Sequence, residues 1–94
     1  MTNAEIAAVF TDIAARLKTK KENIYKIRAY ENAAGYIVDW PVSIEQVAKE
    51  GKLREVPGIG EAIEKKIIEL VTTGKLEFYE KLKAETATRP LKKV

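Results

Sequence analysis

The sequence predicts an all-α fold, a compact bundle of four to five short helices with short connections. Apolar residues recur at helical spacing in several segments, and no segment alternates apolar and polar residues over the length of a strand. The 94 residues, of which 46% are hydrophobic and 33% charged, suit one domain with a single modest core. We therefore assign residues 1–85 to one helical domain and residues 86–94 to a flexible basic tail.

The first two helices have clear start and stop signals. A capping-box pattern at Thr2 and Glu5 begins a helix over residues 3–18. A second helix is predicted over residues 23–38, and Pro41 prevents it from continuing. The inward face of the first helix is a series of apolar residues at helical spacing: Ile6, Val9, Phe10, Ile13 and Leu17.

A short third helix and one helical turn follow. Ser43 and Gln46 form a second capping-box pattern, and Gly51 is placed where a helix commonly ends in a left-handed residue. Residues 52–55 are predicted to form a single helical turn that Leu53 anchors in the core.

Two more helices complete the predicted bundle. Residues 61–73 form the first of them, and Gly74 closes it. The second covers about residues 77–84 and buries Leu76, Leu82 and one of two aromatic residues, Phe78 or Tyr79.

A glycine-containing turn between the helical turn and the fourth helix is the most informative segment. Pro57 precedes Gly58 and Gly60, and we expect both glycines to hold backbone angles that other residues avoid. The N–H groups around them, including that of Ile59, can then all point outward. The first N–H groups of the following helix are unpaired and its dipole favours an anion. The segment therefore predicts a cradle for a phosphate oxygen, although the same residues also suit a plain turn between two helices.

The composition excludes several kinds of function. Cysteine and histidine are absent, which removes disulfides, thiol nucleophiles, the commonest zinc ligand and the commonest general base. Arg89, Lys92 and Lys93 account for the net charge of +3, so a basic surface on the body must come from local clustering. No apolar run approaches membrane length and the N-terminus has no signal-peptide pattern, so we expect a cytoplasmic protein with no membrane partner.

The turn and its flanks resemble a known DNA-binding motif. Leu53, Val56 and Ile59 with the paired glycines and the helix that follows are similar to the helix-hairpin-helix motif. Residues 3–10, 27–34 and 73–82 are also similar to the N-terminal domain of family X DNA polymerases, the group of DNA polymerase β and the bacterial and archaeal PolX enzymes. The resemblance covers about residues 3 to 83 and implies a SAM-like helical bundle that contains one such motif.

The resemblance implies a partner and a set of binding residues. The implied partner is DNA, and the 5′-phosphate end of a gap or nick is preferred over plain duplex. The resemblance also implies a role in DNA repair, a repair-protein partner and association with a prokaryotic nucleoid. The implied base-stacking residue is Tyr25. No cofactor is expected except a monovalent cation, Na⁺ or K⁺, held by the backbone carbonyls of Arg54, Val56 and Ile59. The phosphate-binding residues are Gly58, Ile59, Gly60, Lys26, Tyr30, Arg54 and Lys65.

Lys26 and Tyr30 also share a helix face, because they are four residues apart. They can therefore converge on one phosphate. The alternative is a boundary pair in which Tyr30 packs in the core and Lys26 extends into solvent.

Lys66 is the candidate for covalent chemistry. It lies at the edge of the apolar stripe of the helix over residues 61–73, where burial beside other cations favours a neutral, nucleophilic amine. The resemblance aligns it with the Schiff-base lysine of polymerase β. A lysine at this place can equally cover the core with its methylenes. Ala62 and Tyr25 replace a lysine and a histidine of that family's pocket. Glu61 and Glu64 add negative charge near the proposed phosphate site.

Three functions therefore stay open. The leading hypothesis is a non-catalytic, sequence-independent DNA-binding module. No aspartate cluster for two-metal nucleotidyl transfer is present, so the chain is either an excised fragment of a polymerase or a stand-alone domain, and we expect the latter. The second is a 5′-deoxyribose-phosphate or abasic-site lyase with Lys66 as nucleophile. The third is a protein-interaction module that kept the helical fold.

Overall fold

The computed structural model describes residues 1–86, and this part of the chain forms five α-helices with no strand. The predicted all-α class is thus confirmed. Each predicted helix is present, and its ends lie within two residues of the expected positions. Among these helices, none combines the length and the apolar character that crossing a membrane requires. The elements are α1 (Asn3–Thr19), α2 (Ile24–Asp39), α3 (Ile44–Lys49), a 3₁₀ turn (Leu53–Glu55), α4 (Glu61–Thr73) and α5 (Glu77–Thr86).

The helix starts follow the predicted caps, with one partial exception. The Thr2 hydroxyl accepts the Glu5 N–H at 3.1 Å and the Glu5 carboxylate accepts the Thr2 N–H at 2.8 Å, so the first capping box is complete. At α3 the Ser43 hydroxyl accepts the Gln46 N–H at 3.3 Å, but the Gln46 amide donates to Glu50 instead. The second capping box is therefore only half formed, because its longer side chain finds a partner further along the helix.

The core lies between α1 and α2, which make the most extensive helix–helix contact, and extends under the hairpin to α4 and α5. Phe10 of α1 is fully buried and stacks on Tyr30 of α2 with their ring centroids 5.9 Å apart. The buried small residues of the two helices allow their close approach; they are Ala7, Ala14, Ala33 and Ala34. The other completely buried side chains include Ile6, Ile13, Ala33, Ile37, Ile44 and Ile67.

Asn3 joins the start of α1 to the connection between α2 and α3. Its side-chain amide donates to the carbonyls of Trp40 at 3.3 Å and Val42 at 2.8 Å. Its side-chain oxygen accepts the Ile44 N–H at 2.8 Å. One polar side chain therefore satisfies backbone groups that the proline-containing connection leaves without helical partners.

α5 packs against α1 through a polar cluster. The Tyr79 hydroxyl donates to the Asp12 carboxylate, which also accepts the Arg16 Nε–H at 2.9 Å. The other end of the Arg16 guanidinium donates to the Thr86 hydroxyl at 2.7 Å. Tyr79 is half-buried against the core, so it is the aromatic residue of α5 that packs inward.

The end of α5 differs from the expected boundary. The helix continues through Glu85 and Thr86, two residues past the predicted end. Glu85 pairs with Lys20, the C-cap of α1, and the Thr86 hydroxyl accepts a hydrogen bond from Arg16 of α1. The helix thus extends one residue past the domain boundary expected at residue 85. Residues 87–94 lie outside the described residues, and the prediction of a flexible tail there stays a prediction.

Candidate nucleic-acid interface

The hairpin is held by apolar side chains that point into the core. Leu53, Val56 and Ile59 are 1%, 2% and 5% exposed. Their burial fixes the path of the backbone between the 3₁₀ turn and α4, so the residues between them are forced to the surface. The predicted apolar clamp is present.

The two glycines of the hairpin have different roles. Gly58 has φ of +85°, and a β carbon built on it would lie 2.9 Å from Cδ2 of Tyr36, so both the backbone angle and the space require glycine. Gly60 has φ of −95° and ψ of −173°, and a β carbon there would meet nothing within 4 Å. The expectation that both glycines hold angles closed to other residues is wrong for Gly60, which is the extended N-cap of α4.

The hairpin presents a group of unpaired N–H donors. The Ile59 N–H donates to the Val56 carbonyl at 3.1 Å, so the expectation that every amide here points outward is wrong for Ile59, whose hydrogen bond closes the turn. Within residues 1–86, the N–H groups of Gly58 and Gly60 meet no acceptor. The same holds for residues 61–63, the first turn of α4, whose first internal hydrogen bond begins at Glu64.

The start of α4 contrasts with the starts of the preceding helices. Thr2, Asn23 and Ser43 each cap their helix with a side-chain oxygen. α4 begins at Gly60, which has no side chain and makes no such bond. The positive end of its dipole and its orphan N–H groups are therefore open to an external anion.

The charged side chains around the hairpin pair with one another at long distances. Arg54 Nη1 lies 3.8 Å from Glu64 Oε1, and Lys65 Nζ lies 3.8 Å from Glu61 Oε2. Neither carboxylate accepts a hydrogen bond from a hairpin amide, so the anion cradle is not filled by the protein itself. Exposed ion pairs of this kind contribute about 0–1 kcal/mol to folding stability, so a phosphate can displace them at little cost in free energy.

A cavity of about 280 Å³ adjoins the start of α4. It brings together Lys26 and Tyr30 from α2 with Lys66 from α4, three residues that the sequence singled out. Neither lysine forms an ion pair with any residue in the range 1–86. The full lining is Leu17, Glu22, Lys26, Ala29, Tyr30, Ala62, Ile63, Lys66 and Phe78.

Tyr30 is both a core residue and part of the cavity wall. It is 8% exposed and its hydroxyl makes no hydrogen bond within residues 1–86. Burial raises the pKa of this phenol, so it stays protonated at neutral pH and remains a donor. The two hypotheses for Tyr30, core packing and phosphate contact, are therefore compatible in this fold.

Lys66 lies half-buried at the cavity, beside Phe78, one of the two aromatic residues between which the sequence could not choose for the inward position. Its Nζ is 4.9 Å from the centroid of the Phe78 ring, which stacks on Tyr30 at 6.1 Å. Phe78 is 38% exposed and lines the cavity. The signal that could have found it is the spacing of Phe78 and Leu82, four residues apart and thus on one face of α5.

Tyr25 is separate from the cavity. Its side chain is 77% exposed at the first turn of α2, where its N–H donates to the Asn23 side chain. The structure does not place it among the cavity-lining residues. Its ring is open to solvent on the surface next to Ile24, which is also half-exposed.

The backbone carbonyls expected to hold a cation have free lone pairs. Within residues 1–86, the carbonyls of Arg54 and Ile59 accept no hydrogen bond, and that of Val56 accepts only the Ile59 N–H. The described part of the chain has no cluster of acidic side chains suited to a metal ion. Each of these three carbonyls therefore keeps at least one lone pair that no donor within residues 1–86 occupies.

The helical bundle, with a glycine hairpin that starts α4 without a side-chain cap, defines a small helix-hairpin-helix domain. A family whose description is helix-hairpin-helix domain matches residues 1–76, which include the hairpin and all of α4. The chain belongs to the helix-hairpin-helix family. Such domains commonly bind DNA.

Proposed function

We propose that this domain binds DNA through the sugar–phosphate backbone, without reading base sequence, and prefers a gap or nick that carries a 5′-phosphate. The observation that carries the proposal is the adjacency of two anion-binding features. Five unpaired N–H groups lie at the hairpin and the first turn of α4. Ala62 and Ile63 belong to that turn and also line the cavity that contains Lys26, Tyr30 and Lys66.

The two features suit two kinds of phosphate. The hairpin amides are exposed donors that bond to no acceptor within residues 1–86, which suits one oxygen of an internal phosphodiester. The cavity has two unpaired ammonium groups and a phenol donor, from Lys26, Lys66 and Tyr30. This set suits a terminal phosphate monoester, which carries close to two negative charges at neutral pH. Neither feature offers groups that reach base edges, so the binding is independent of sequence.

A monovalent cation is part of the proposal. The carbonyls of Arg54, Val56 and Ile59 would hold Na⁺ or K⁺. The bound cation would add positive charge beside the hairpin and so raise the affinity for a phosphodiester. The amides of Gly58 and Gly60 would still make the direct contact with the phosphate oxygen. Replacing Na⁺ with a bulky organic cation at equal ionic strength should then weaken DNA binding.

The experiment is a fluorescence-anisotropy titration of a gapped duplex. One form of the duplex carries a 5′-phosphate in the gap, a second carries a 5′-hydroxyl, and an intact duplex of the same sequence is the reference. We expect the tightest binding to the phosphorylated gap and a steep loss of affinity as salt rises, because phosphate contacts release counterions. Equal affinity for the first two ligands would refute the terminal-phosphate preference. Absence of binding to all three at low salt would favour the protein-interaction hypothesis.

A lyase is the second candidate, and one observation favours it: Lys66 is half-buried in the cavity that would hold the 5′-phosphate. In the proposed step the neutral Nζ attacks C1′ of the ring-opened abasic sugar, water leaves and an imine forms. Two features disfavour it. The Phe78 ring beside Nζ stabilises the charged ammonium, and Ala62 gives the cavity no second amine on α4.

Borohydride trapping distinguishes the lyase from the binding module. Hydride reduction of the imine leaves a stable covalent secondary amine between protein and DNA. An adduct that is lost in Lys66→Ala but kept in Lys65→Ala would support the lyase. No adduct at protein concentrations that saturate the same DNA would leave the non-catalytic module as the function.

A further inference from the structure

Three aromatic rings form a continuous column from the core to the cavity. Phe10 of α1 stacks on Tyr30 of α2 with an interplanar angle of 16°, and Tyr30 stacks on Phe78 of α5 with an angle of 13°. Exposure increases along the column, from 0% for Phe10 to 8% for Tyr30 and 38% for Phe78. The position of the outer ring is therefore set by two buried rings behind it.

The outer ring contacts a cation of the cavity. Lys66 Nζ lies 4.9 Å from the centroid of Phe78, within the range of a cation–π interaction. Without such an interaction, the four-carbon stem of a lysine moves among many rotamers, and ordering it on binding costs affinity. The ring thus holds the ammonium at the cavity before any ligand arrives.

α5 is attached to the rest of the fold independently of this contact. Tyr79, the next residue after Phe78, donates to Asp12, and Lys20 pairs with Glu85 near the end of the helix. Leu76 and Leu82 are buried at 1% and 3% exposure. A change at Phe78 can therefore alter the cavity while α5 stays docked on α1.

We propose that Phe78 is a positioning residue for the anion cavity, whose ring fixes the Lys66 ammonium where it meets a terminal 5′-phosphate. This inference rests on the proposed function, since it concerns the same ligand. It goes beyond that function because it makes α5, which lies past the residues of the family match, part of the phosphate site.

The test compares Phe78→Leu with Phe78→Tyr in the gapped-duplex titration. Leucine keeps the apolar bulk and removes the aromatic face, whereas tyrosine keeps both. We expect Phe78→Leu to lower the affinity ratio between 5′-phosphate and 5′-hydroxyl gaps about two- to tenfold, the effect of one unfixed long side chain. Phe78→Tyr should keep the ratio of the unchanged protein. Circular dichroism and thermal melting verify that both variants fold.

A double-mutant cycle separates positioning from packing. In a Lys66→Ala background, Phe78→Leu should have no further effect on the ratio, because the ring acts through the lysine. Two results would overturn the proposal. One is an equal fall of the affinity ratio in Phe78→Leu and Phe78→Tyr, and the other is a further fall of that ratio when Phe78→Leu is added to Lys66→Ala. If the unchanged protein itself shows no preference for the 5′-phosphate, the proposed function fails. If it shows that preference and Phe78→Leu keeps it, only the role of Phe78 fails.

Discussion

Gly58 of the hairpin and Tyr36 of α2 lie so close that a β carbon on the glycine would be 2.9 Å from the ring carbon Cδ2. The tyrosine ring is 47% exposed, so this contact is at the protein surface and not in the core. α2 therefore supports the outer side of the hairpin, while Leu53, Val56 and Ile59 support its inner side.

The first prediction concerns the stability of the hairpin glycines. Gly58→Ala should lower the free energy of unfolding by about 1–3 kcal/mol, because alanine resists a positive φ and its methyl group collides with Tyr36. Gly60→Ala should change it by less than about 0.5 kcal/mol, since the site is open and its φ is ordinary. Urea unfolding measures both, and equal losses would contradict this assignment of roles.

Gly60→Ala is also a probe of DNA binding. Because the Gly60→Ala variant should keep its fold, any loss of DNA affinity can be attributed to the methyl group that it places at the open start of α4. We expect about a tenfold weaker binding to duplex DNA, the size of one missing charge-assisted hydrogen bond. Unchanged affinity in the anisotropy titration would argue that the phosphate does not approach Gly60. Thr73→Ala, at the opposite end of α4, provides the control.

Lys21 is the one described residue other than glycine with a positive φ, at 59°. It follows the C-cap of α1, where the Glu22 N–H donates to the Leu17 carbonyl at 3.0 Å. Lys21→Gly should raise the free energy of unfolding by about 0.5–1 kcal/mol, because glycine adopts this conformation without a β-carbon penalty. Lys21→Ala, which removes the charge but keeps the β carbon, should not stabilise. Stabilisation by both would instead identify charge repulsion as the cause.

The Asp12–Tyr79 hydrogen bond makes the docking of α5 depend on pH at both extremes. This bond, with a further contribution from Arg16, lowers the pKa of Asp12 from its ordinary 3.8. That stabilisation is present above about pH 4 and is lost as the pH falls through the lowered value. Burial and the Asp12 hydrogen bond raise the pKa of Tyr79 from 10.0 to about 12. Stabilisation from this group is present below about pH 10 and is lost as the pH rises towards 12.

Tyr79→Phe tests this pH dependence. The variant should be less stable by about 0.5–1.5 kcal/mol at neutral pH, the range for one hydrogen bond. Its loss of stability at acidic and alkaline pH should be smaller than that of the unchanged protein. Urea unfolding across the pH range measures this, with the exposed Tyr25→Phe as the control. Parallel pH profiles for the unchanged protein and Tyr79→Phe would exclude a contribution of the pair.

The cavity lysines should set the salt dependence of DNA binding. Lys26→Ala and Lys66→Ala should each weaken binding to the 5′-phosphorylated gap. The slope of log K against log salt should become shallower by about 0.9 for each phosphate charge that the variant no longer neutralises. Lys49→Ala provides a matched control, because Lys49 is exposed and lines a different depression with Glu45 and Ile68. Equal effects at all three positions would indicate a diffuse charge effect and no defined phosphate site.

Much of the fold could be predicted because its signals are local. The spacing of apolar residues located the helices, the cap at Thr2 fixed the first helix start, and Gly51 and Gly74 marked helix ends with φ of +70° and +80°. The hairpin was equally visible, since Pro57 and its glycines specify a turn regardless of the rest of the chain. A predicted helix end was wrong where a residue distant in sequence supplies a hydrogen-bond partner, as Arg16 does for Thr86 at the end of α5.

The candidate site was predicted only in part. Lys26, Tyr30 and Lys66 are identifiable from the sequence, and the fold places all three around one cavity. Phe78 was not assigned to the site, because Phe78 and Tyr79, the two candidates for the inward position, are neighbours in sequence. Only the packing of α5 on α1 decided which ring turns inward.

The amino-acid sequence by itself determined the helices, the turn that separates α4 from the 3₁₀ turn, and the family to which the chain belongs. The helices and the turn follow from backbone preferences and apolar periodicity over a few residues, whereas the family follows from the resemblance of the hairpin residues to a known motif. Tertiary structure alone decided that Asn3 caps a connection some forty residues away, that Tyr36 supports Gly58, and that Phe78 contacts Lys66. Such contacts depend on how helices are placed relative to one another, and that placement is a property of the whole core.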